Sequence, residues 1–458
     1  MSTIEPYLRD RAGQFEEELC ELLRIPSVST TPDHREDMIR AAGWIADRLR
    51  GLGFATEVAE TAGHPLVYAE SPRIDGLPTV LVYGHYDVQP VEPLELWTSP
   101  PFEPTRRDGY LYARGATDDK GQLLTHLFSA RAWIETEGRL PVNLKFLIEG
   151  EEEAGSASLQ PFLSANLGKL ACDCVVISDG AQFAPGQPAI TYGLRGIVYF
   201  DLLLTGPNRD LHSGTFGGSV TNPANALAKM LAALVDRRGK VRVPGFYADV
   251  VRLTPRERRQ LAQLPFDENK YLEQIGVSGT TGEEGYTILE RRWARPTFDV
   301  NGLWSGYQGK GAKTVLPTQA GAKFSFRLVP HQDPAKIAAA VRAMLEGLCP
   351  AGITMELVEH HGSPGVLVPL DSPYVQAAAR AIDYAFGRPP VYTREGGSIP
   401  VVATFHQMLG ADTLLIGWGQ DDDNAHSPNE RFLLADFHRG IRASAQLWEE
   451  LARLPPKP

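Results

Sequence analysis

Cysteine is scarce: Cys20, Cys172, Cys174 and Cys349 are the only four among 458 residues, too few and too scattered for a disulfide framework. This excludes the small, disulfide-stapled secreted class and agrees with a reducing compartment. Cys172 and Cys174 form a C-x-C pair, but they open the apolar run Cys174 to Ser178, so they read as buried thiols before metal ligands. No run of about 18 apolar residues is present, and no membrane-spanning helix is expected. The stretch Met1 to Asp10 is polar and mixed in charge and lacks the apolar segment of a secretory signal, so a cytoplasmic protein is expected. Excess positive charge is missing too. With 45 Lys and Arg against 56 Asp and Glu, the net charge is -11 and the pI is near 5.6, which argues against nucleic acid and for small molecules or peptides as partners.

What is present is an ordinary globular composition, 43% hydrophobic and 22% charged, in a chain long enough for two or three domains. Helical periodicity covers Glu5 to Arg24 and Glu36 to Leu49. Strands are expected at Phe54 to Glu60, Leu66 to Glu70, Thr79 to Tyr83, Asn143 to Ile148 and Cys174 to Ser178, with a helix from Gln122 to Glu137. Alternating helices and wholly apolar strands imply a mainly parallel α/β sheet. After about Tyr192 the texture changes. Ile197 to Leu204 and Ala322 to Leu328 alternate between faces, each is followed by a helix (Pro223 to Asp236, Asp333 to Leu345), and Ile353 to Val358 closes the pattern. Then a helix, Asp371 to Phe386, and an apolar strand, Thr413 to Trp418, resume the first texture. The expected division is residues 1–192 with 363–458 as one domain, and 193–362 as an inserted α+β domain.

The strand Asn143 to Ile148 empties into Glu149, Glu151, Glu152 and Glu153 before Gly155 turns the chain. Carboxylates crowded at the end of a buried strand repel one another and lose hydration, so they need a shared proton, a cation or full solvation. Taken alone, a solvated acidic loop is the simpler account. However, His85 and Asp87 follow Thr79 to Tyr83, Asp179 follows Cys174 to Ser178, and His426 follows Thr413 to Trp418. In an open α/β sheet such strand ends line one crevice. Asp118 and Asp119 precede the helix Gln122 to Glu137, where either alone is accounted for by capping of backbone N–H groups. Histidine and carboxylate without thiolate suit a hydrolytic Zn, Mn or Co site, with enough ligands for two ions. The run Asp421 to Asp423 reads as solvated loop.

Gly84-His85-Tyr86-Asp87-Val88-Gln89-Pro90, Arg114 to Gly121, Glu149 to Ser156, Ser178-Asp179 and Ala425-His426-Ser427-Pro428-Asn429-Glu430 resemble, in order, the motifs of the M20 di-metal peptidases. The resemblance is closest to the branch of cytosolic nonspecific dipeptidases and carnosinases. It extends through Asp210 to Gly214, Lys313 to Pro317, Phe324 to Pro330 and Arg394 to Pro400. The fold it implies is a three-layer α/β/α zinc-peptidase domain with an inserted ferredoxin-like lid and dimerisation domain.

Carried over by position, the resemblance implies that His85 and Asp179 hold one metal, Glu153 and His426 the other, and Asp118 bridges them. Zn is the expected ion, with Mn or Co as alternatives. Asp87 is expected behind His85, fixing its tautomer, and Glu152 as the general base that generates a metal-bridged hydroxide. His212 is implied as donor to the oxyanion, crossing from a neighbouring subunit in a homodimer. Arg327 is implied as a fork for the substrate's C-terminal carboxylate, with Thr314, Ser398 and His361 beside it and Glu395 near the free amino group. Glu151 departs from the family pattern; its extra charge raises the pKa of Glu152 if it faces that residue and matters little if it points to solvent. The expected activity is hydrolysis of dipeptides or very short peptides. An N-acyl or N-carbamoyl amino acid amidohydrolase is the alternative on the same scaffold, separated by whether a free α-amino group is required.

Overall fold

A computed structural model describes residues 1–397 and 400–456, with the side chains of residues 361 and 400 outside the description. The chain divides into two compact units: Met1–Tyr192 with Val368–Thr393 and Thr404–Pro458, and Gly193–Leu367 with Arg394–Ala403. The sequence division assigned Arg394–Ala403 to the first unit and ended the insertion at residue 362.

The first unit is built on a mixed sheet whose strands run in the order Ala55–Ala59, Leu66–Glu70, Asn143–Glu149, Thr79–His85, Cys174–Ile177, Asp412–Ile416, Ala189–Leu194. The four middle strands of this order, Asn143–Glu149 to Asp412–Ile416, are mutually parallel. The flanking pairs are antiparallel. Parallel strands must be buried on both faces, and the sequence obliges: Val80 to Tyr83, Phe146 to Ile148 and Cys174 to Ile177 are all 0–1% exposed. Because these four strands point the same way, the loops that follow them emerge along one sheet edge. That edge receives every residue of the candidate site that lies in this unit.

Behind it lies the helix Lys120–Glu137, buried from Lys120 to Trp133 against Leu434–Ala452, a C-terminal helix that the sequence reading missed. A helix hidden on all sides must satisfy its polar side chains internally. Gln122 accepts the Trp418 N–H at 2.7 Å and Trp448 Nε1 donates to Ser129 Oγ at 2.8 Å. His126 sits between Ser178 Oγ (2.8 Å) and Ser444 Oγ (3.0 Å). The single N-terminal helix read from periodicity is two, Ile4–Asp10 and Ala12–Leu23.

In the second unit the order is strand Gly196–Thr205, helix Pro223–Ala233, strands Thr297–Ser305 and Gln319–Leu328, helix Pro334–Leu348, strand Thr354–Ser363. The sheet order is Thr297–Ser305, Gln319–Leu328, Gly196–Thr205, Thr354–Ser363, with every neighbour antiparallel. This is the split βαβ arrangement of ferredoxin-like domains. Gly196–Thr205 alternates buried and part-buried positions along its whole length, as a one-sided sheet requires. Its inward Phe200 stacks on Phe324 at 5.2 Å. Thr297–Ser305 escaped the sequence reading because its apolar residues Val300, Leu303 and Trp304 are exposed on the sheet's edge.

Burial pushes the His126 imidazole down to about 3 from its ordinary value of 6.5. Between those values the unfolded chain binds one more proton than the folded one. The stabilisation is therefore complete above about 6.5 and lost as pH falls, with a slope of up to about 1.4 kcal/mol per pH unit. Denaturant melts of metal-free protein from pH 7 to 5 should show this slope reduced in His126→Gln, whose amide can still bridge the two serines.

Candidate metal centre

Asp118 is the centre of the first unit's polar cluster. Its Oδ1 lies 3.2 Å from His85 Nε2 and its Oδ2 2.9 Å from His426 Nε2, so one carboxylate faces two imidazoles from opposite oxygens. Two triads result, His85 with Asp118 and Asp179, and Asp118 with Glu153 and His426. Within each, the candidate ligand atoms lie within 4.8 Å of one another. Asp179 Oδ2 is 3.9 Å from His85 Nε2, and Glu153 Oε2 is 3.3 Å from His426 Nε2. The five residues named as ligands from the sequence are thus brought together from the end of one strand, the loops after three others and the start of a helix. Capping does not account for Asp118 and Asp119, since the helix Lys120–Glu137 has no side-chain cap. Asp119 Oδ2 instead accepts the His85 N–H at 3.2 Å. Gly84 permits this approach, because a Cβ there would meet that oxygen at 2.7 Å.

The protonation pattern tests whether a cation fits. His85 Nδ1 lies 3.1 Å from the main-chain carbonyl of Asp87. A carbonyl can only accept, so Nδ1 carries a proton and Nε2 faces the carboxylates of Asp118 and Asp179. Nε2 is buried and makes no hydrogen bond of acceptable geometry. Two carboxylates about 4 Å apart repel by roughly 4 kcal/mol at an effective dielectric of 20, so positive charge is required between them and the ring. The titration behaviour says the same. Burial would lower His85, but the carboxylates of Asp118 and Asp87 beside its ring outweigh it and raise it well above its ordinary value. The hydrogen bond to Asp118 pushes His426 up to about 10. Burial and the Asp118 charge lift Asp179 to about 7. Burial likewise opposes ionisation of Asp118, yet its bonds to His426 and His85 hold it below the usual carboxylate range. Imidazole nitrogens and carboxylate oxygens without thiolate fit a divalent ion of the zinc, manganese or cobalt kind.

Asp87 does more than sit behind His85. Its carboxylate lies 3.3 Å from His85 Nδ1 and accepts the N–H groups of Glu152 (3.3 Å) and Glu153 (3.1 Å), so it ties the loop after Thr79–His85 to the one after Asn143–Glu149. Glu152 is raised by burial first, with the charges of Glu153, Asp118 and Asp87 adding to the effect against that of His85. Glu151 is turned away from the cluster. Its carboxylate accepts the N–H groups of His64 (3.1 Å) and Ser158 (2.9 Å), and Gly63 leaves room where a Cβ would lie 1.4 Å from Oε1. Glu149, left open by the sequence, is a buried acceptor for the Tyr83 and Ser156 hydroxyls, raised to about 7 by burial. The expectation of a solvated Asp421 to Asp423 fails at its last residue. Asp423 is 1% exposed and accepts from Gln420 N–H (2.8 Å) and the Thr117 hydroxyl (3.2 Å). Gln89 Nε2 donates to Glu153 Oε2 at 2.7 Å, a contact that its place in the motif Gly84 to Pro90 does not announce.

The remaining candidates belong to the second unit. His212 is exposed, and its Nδ1 accepts the Gly214 N–H at 3.1 Å. That bond leaves the proton of the neutral ring on Nε2, making Nε2 a donor. Arg327 stands on Gln319–Leu328 opposite Ile197 and Thr297, lowered by burial against the opposing charge of Asp299. Thr314 is exposed and its carbonyl accepts from Ser213 N–H at 3.1 Å. Glu395 is exposed and its carbonyl accepts from Arg195 N–H at 3.3 Å. His361 pairs with Tyr199 in the sheet register. Ser398 lies outside the described residues. Arg195 was not singled out from the sequence. Its Nε donates to the Gly396 carbonyl at 2.9 Å, and burial, with the like charge of Arg327, pushes it down to about 10.

Asp87→Ala should lower affinity for a divalent ion by roughly 10–100-fold, the range for residues that orient ligands. Competition against a chelator would measure it, and unchanged affinity would remove Asp87 from the assembly of the site.

Residues 81–450 match the model of peptidase family M20/M25/M40. The Cys-Gly metallodipeptidase dug1 of Schizosaccharomyces pombe is 33% identical over 463 residues, covering 97% of this chain and 97% of its own. Human carnosine dipeptidase 1 superposes with a TM-score of 0.81 at 33% identity, covering 99% of each chain. The M20 family metallo-carboxypeptidase Sso-CP2 of Sulfolobus solfataricus does so with a TM-score of 0.85 at 35% identity, over 96% of this chain and 99% of that one. With its ligand-capable residues gathered at one sheet edge and full-length similarity to these enzymes, the chain belongs to peptidase family M20/M25/M40.

Proposed function

We propose that this protein is a metal-dependent dipeptidase in which His85 and Asp179 hold one divalent ion, Glu153 and His426 a second, and Asp118 bridges the two. The observation that carries this reading is the placement of the two Asp118 oxygens toward two different histidines, each completing a triad. Zinc is the expected ion, with manganese or cobalt able to serve the same donors. Divalent ions so held polarise a carbonyl and acidify a water.

Glu152 is adjacent to a ligand without being one. It takes the proton of the attacking water and returns it to the amine that leaves as the peptide C–N bond breaks. A carboxyl raised by burial suits both directions of that transfer near neutral pH. Asp87 holds the Glu152 and Glu153 N–H groups and so keeps the base beside the ligand. His212, with its proton on Nε2, donates to the oxygen that gains charge. Arg327 forks onto the substrate carboxylate, helped by Thr314, Ser398 and His361, while Glu395 meets the free amino group. The second unit acts as a lid and as the contact of a homodimer. An exposed apolar edge strand bearing Val300, Leu303 and Trp304 supports the latter. A reducing compartment, the cytoplasm, is consistent with four cysteines among which no disulfide forms. No described helix is long and apolar enough to cross a membrane.

Free amino acid released from dipeptides and from their N-acetylated counterparts tests the assignment, using stripped protein with Zn, Mn or Co restored. Turnover of the free-amine series alone, dependent on metal, is expected; turnover of the acetylated series alone would move the assignment to an amidohydrolase. Glu152→Gln should keep its metal content while kcat falls by about 10²-fold or more, the contribution of a positioned general base; retained turnover would displace Glu152 from that role. Mixing His212→Ala with Glu152→Gln, under conditions where subunits exchange, should restore part of the activity if the histidine acts across the dimer. Absence of rescue would place it in cis.

A further inference from the structure

Outside the candidate ligands, the first unit holds a buried ion pair that serves the site without touching it. Arg114 and Glu430 are 1% and 0% exposed, with Arg114 Nη1 2.8 Å from Glu430 Oε2. The same Oε2 accepts the Gly115 N–H at 2.9 Å, and Oε1 accepts those of Thr117 (3.0 Å) and Asp118 (3.1 Å). Four N–H donors therefore fill the about four acceptor positions of one carboxylate. Arg114 also donates to the carbonyls of Pro90 (Nη2, 2.9 Å) and Ser427 (Nη1, 3.3 Å). The pair thereby binds three loops: the one following His85, the one presenting Asp118 and the one presenting His426. Asn429 extends the tie, accepting from Thr98 N–H and donating to the Leu96 carbonyl, both at 2.8 Å.

The His426 loop needs such an anchor. Asn424, His426 and Asn429 have φ of 58°, 61° and 62°, a left-handed backbone that non-glycine residues hold only where their surroundings over-determine it. Glu430 follows directly, and it bonds the very N–H of Asp118 whose side chain faces His426.

We propose that Glu430 is a positioning residue: by collecting the N–H groups of residues 115, 117 and 118 onto the loop of His426, it sets the separation of Asp118 from His426 and so the spacing of the two cation positions. This rests on the ligand assignment proposed above. The carboxylate form is required, because a glutamine of the same shape turns an NH₂ toward two N–H donors.

The test is metal binding by stripped protein, read with Zn²⁺ against a competing chelator and with Co²⁺ by its visible spectrum, beside a thermal melt. Glu430→Gln should bind the weaker of the two ions roughly 10–100-fold less tightly, the range for residues that orient ligands, with an altered Co²⁺ spectrum and a kcat loss exceeding any change in KM. Arg114→Lys, which keeps the three main-chain bonds of Glu430 and loses the ties to Pro90 and Ser427, should show a smaller loss of the same kind. Wild-type affinity and spectrum in Glu430→Gln overturn the proposal, whether or not the melt falls. Should that variant not fold, wild-type affinity and spectrum in Glu430→Asp, whose shorter side chain cannot reach all three main-chain N–H groups, overturn it instead. Wild-type protein that takes up fewer than two ions would sink the ligand assignment itself, whereas two ions in wild type with Glu430→Gln unaffected would sink only the positioning role.

Discussion

The structure of the first unit depends on concentrating negative charge where a parallel sheet ends. Strands pointing one way deliver their loops to one edge, and here those loops bring Glu152, Glu153 and Asp179, with Asp118 from the start of a helix, around two imidazoles. Such a cluster stands only if positive charge is shared among its members. The raised histidines and raised Asp179 express that demand as proton affinity, and a pair of divalent ions answers it on the proposed reading. The arrangement is therefore an interaction between unlike charges that the sheet topology forces into one place.

Holding that arrangement is a separate task from supplying its ligands, and a different set of residues performs it. Asp87 binds the peptide N–H groups of Glu152 and Glu153, Asp119 binds that of His85, and Glu430 binds those of Thr117 and Asp118. Each is a buried carboxylate spent on backbone donors. The repeated device has a physical reason. A side chain can only be aimed as accurately as its Cα is held, and charge-assisted bonds to main-chain N–H groups fix loops that carry no ladder of their own.

Electrostatic character differs between the two units. The first gathers carboxylates, while the second carries the half-buried guanidinium groups of Arg195 and Arg327, each lowered by burial. Membership of the M20/M25/M40 family and full-length similarity to dipeptidases agree with a small substrate.

Much of this was legible in the chain itself. Short apolar runs ending abruptly in His85, Glu153, Asp179 and His426 announce buried strands whose ends carry chemistry, because the hydrophobic pattern and the change to charge are both local. The alternation in Gly196–Thr205 and Gln319–Leu328 likewise announces one-sided sheets. What could not be read locally is orientation and pairing across distance. Whether Glu151 faces the cluster or the Gly63 turn, whether Asp423 is solvated or buried, and whether Asp118 caps a helix or faces two histidines are decided by neighbours tens to hundreds of residues away. Arg114 and Glu430 stand in two separate motifs, Arg114 to Gly121 and Ala425 to Glu430, yet nothing in either says that they meet. Sequence by itself determined which residue types stand at the strand ends and hence the chemistry available. Only the tertiary structure decided which oxygen faces which nitrogen, because direction in space is set by packing and by hydrogen bonds between segments far apart in the chain.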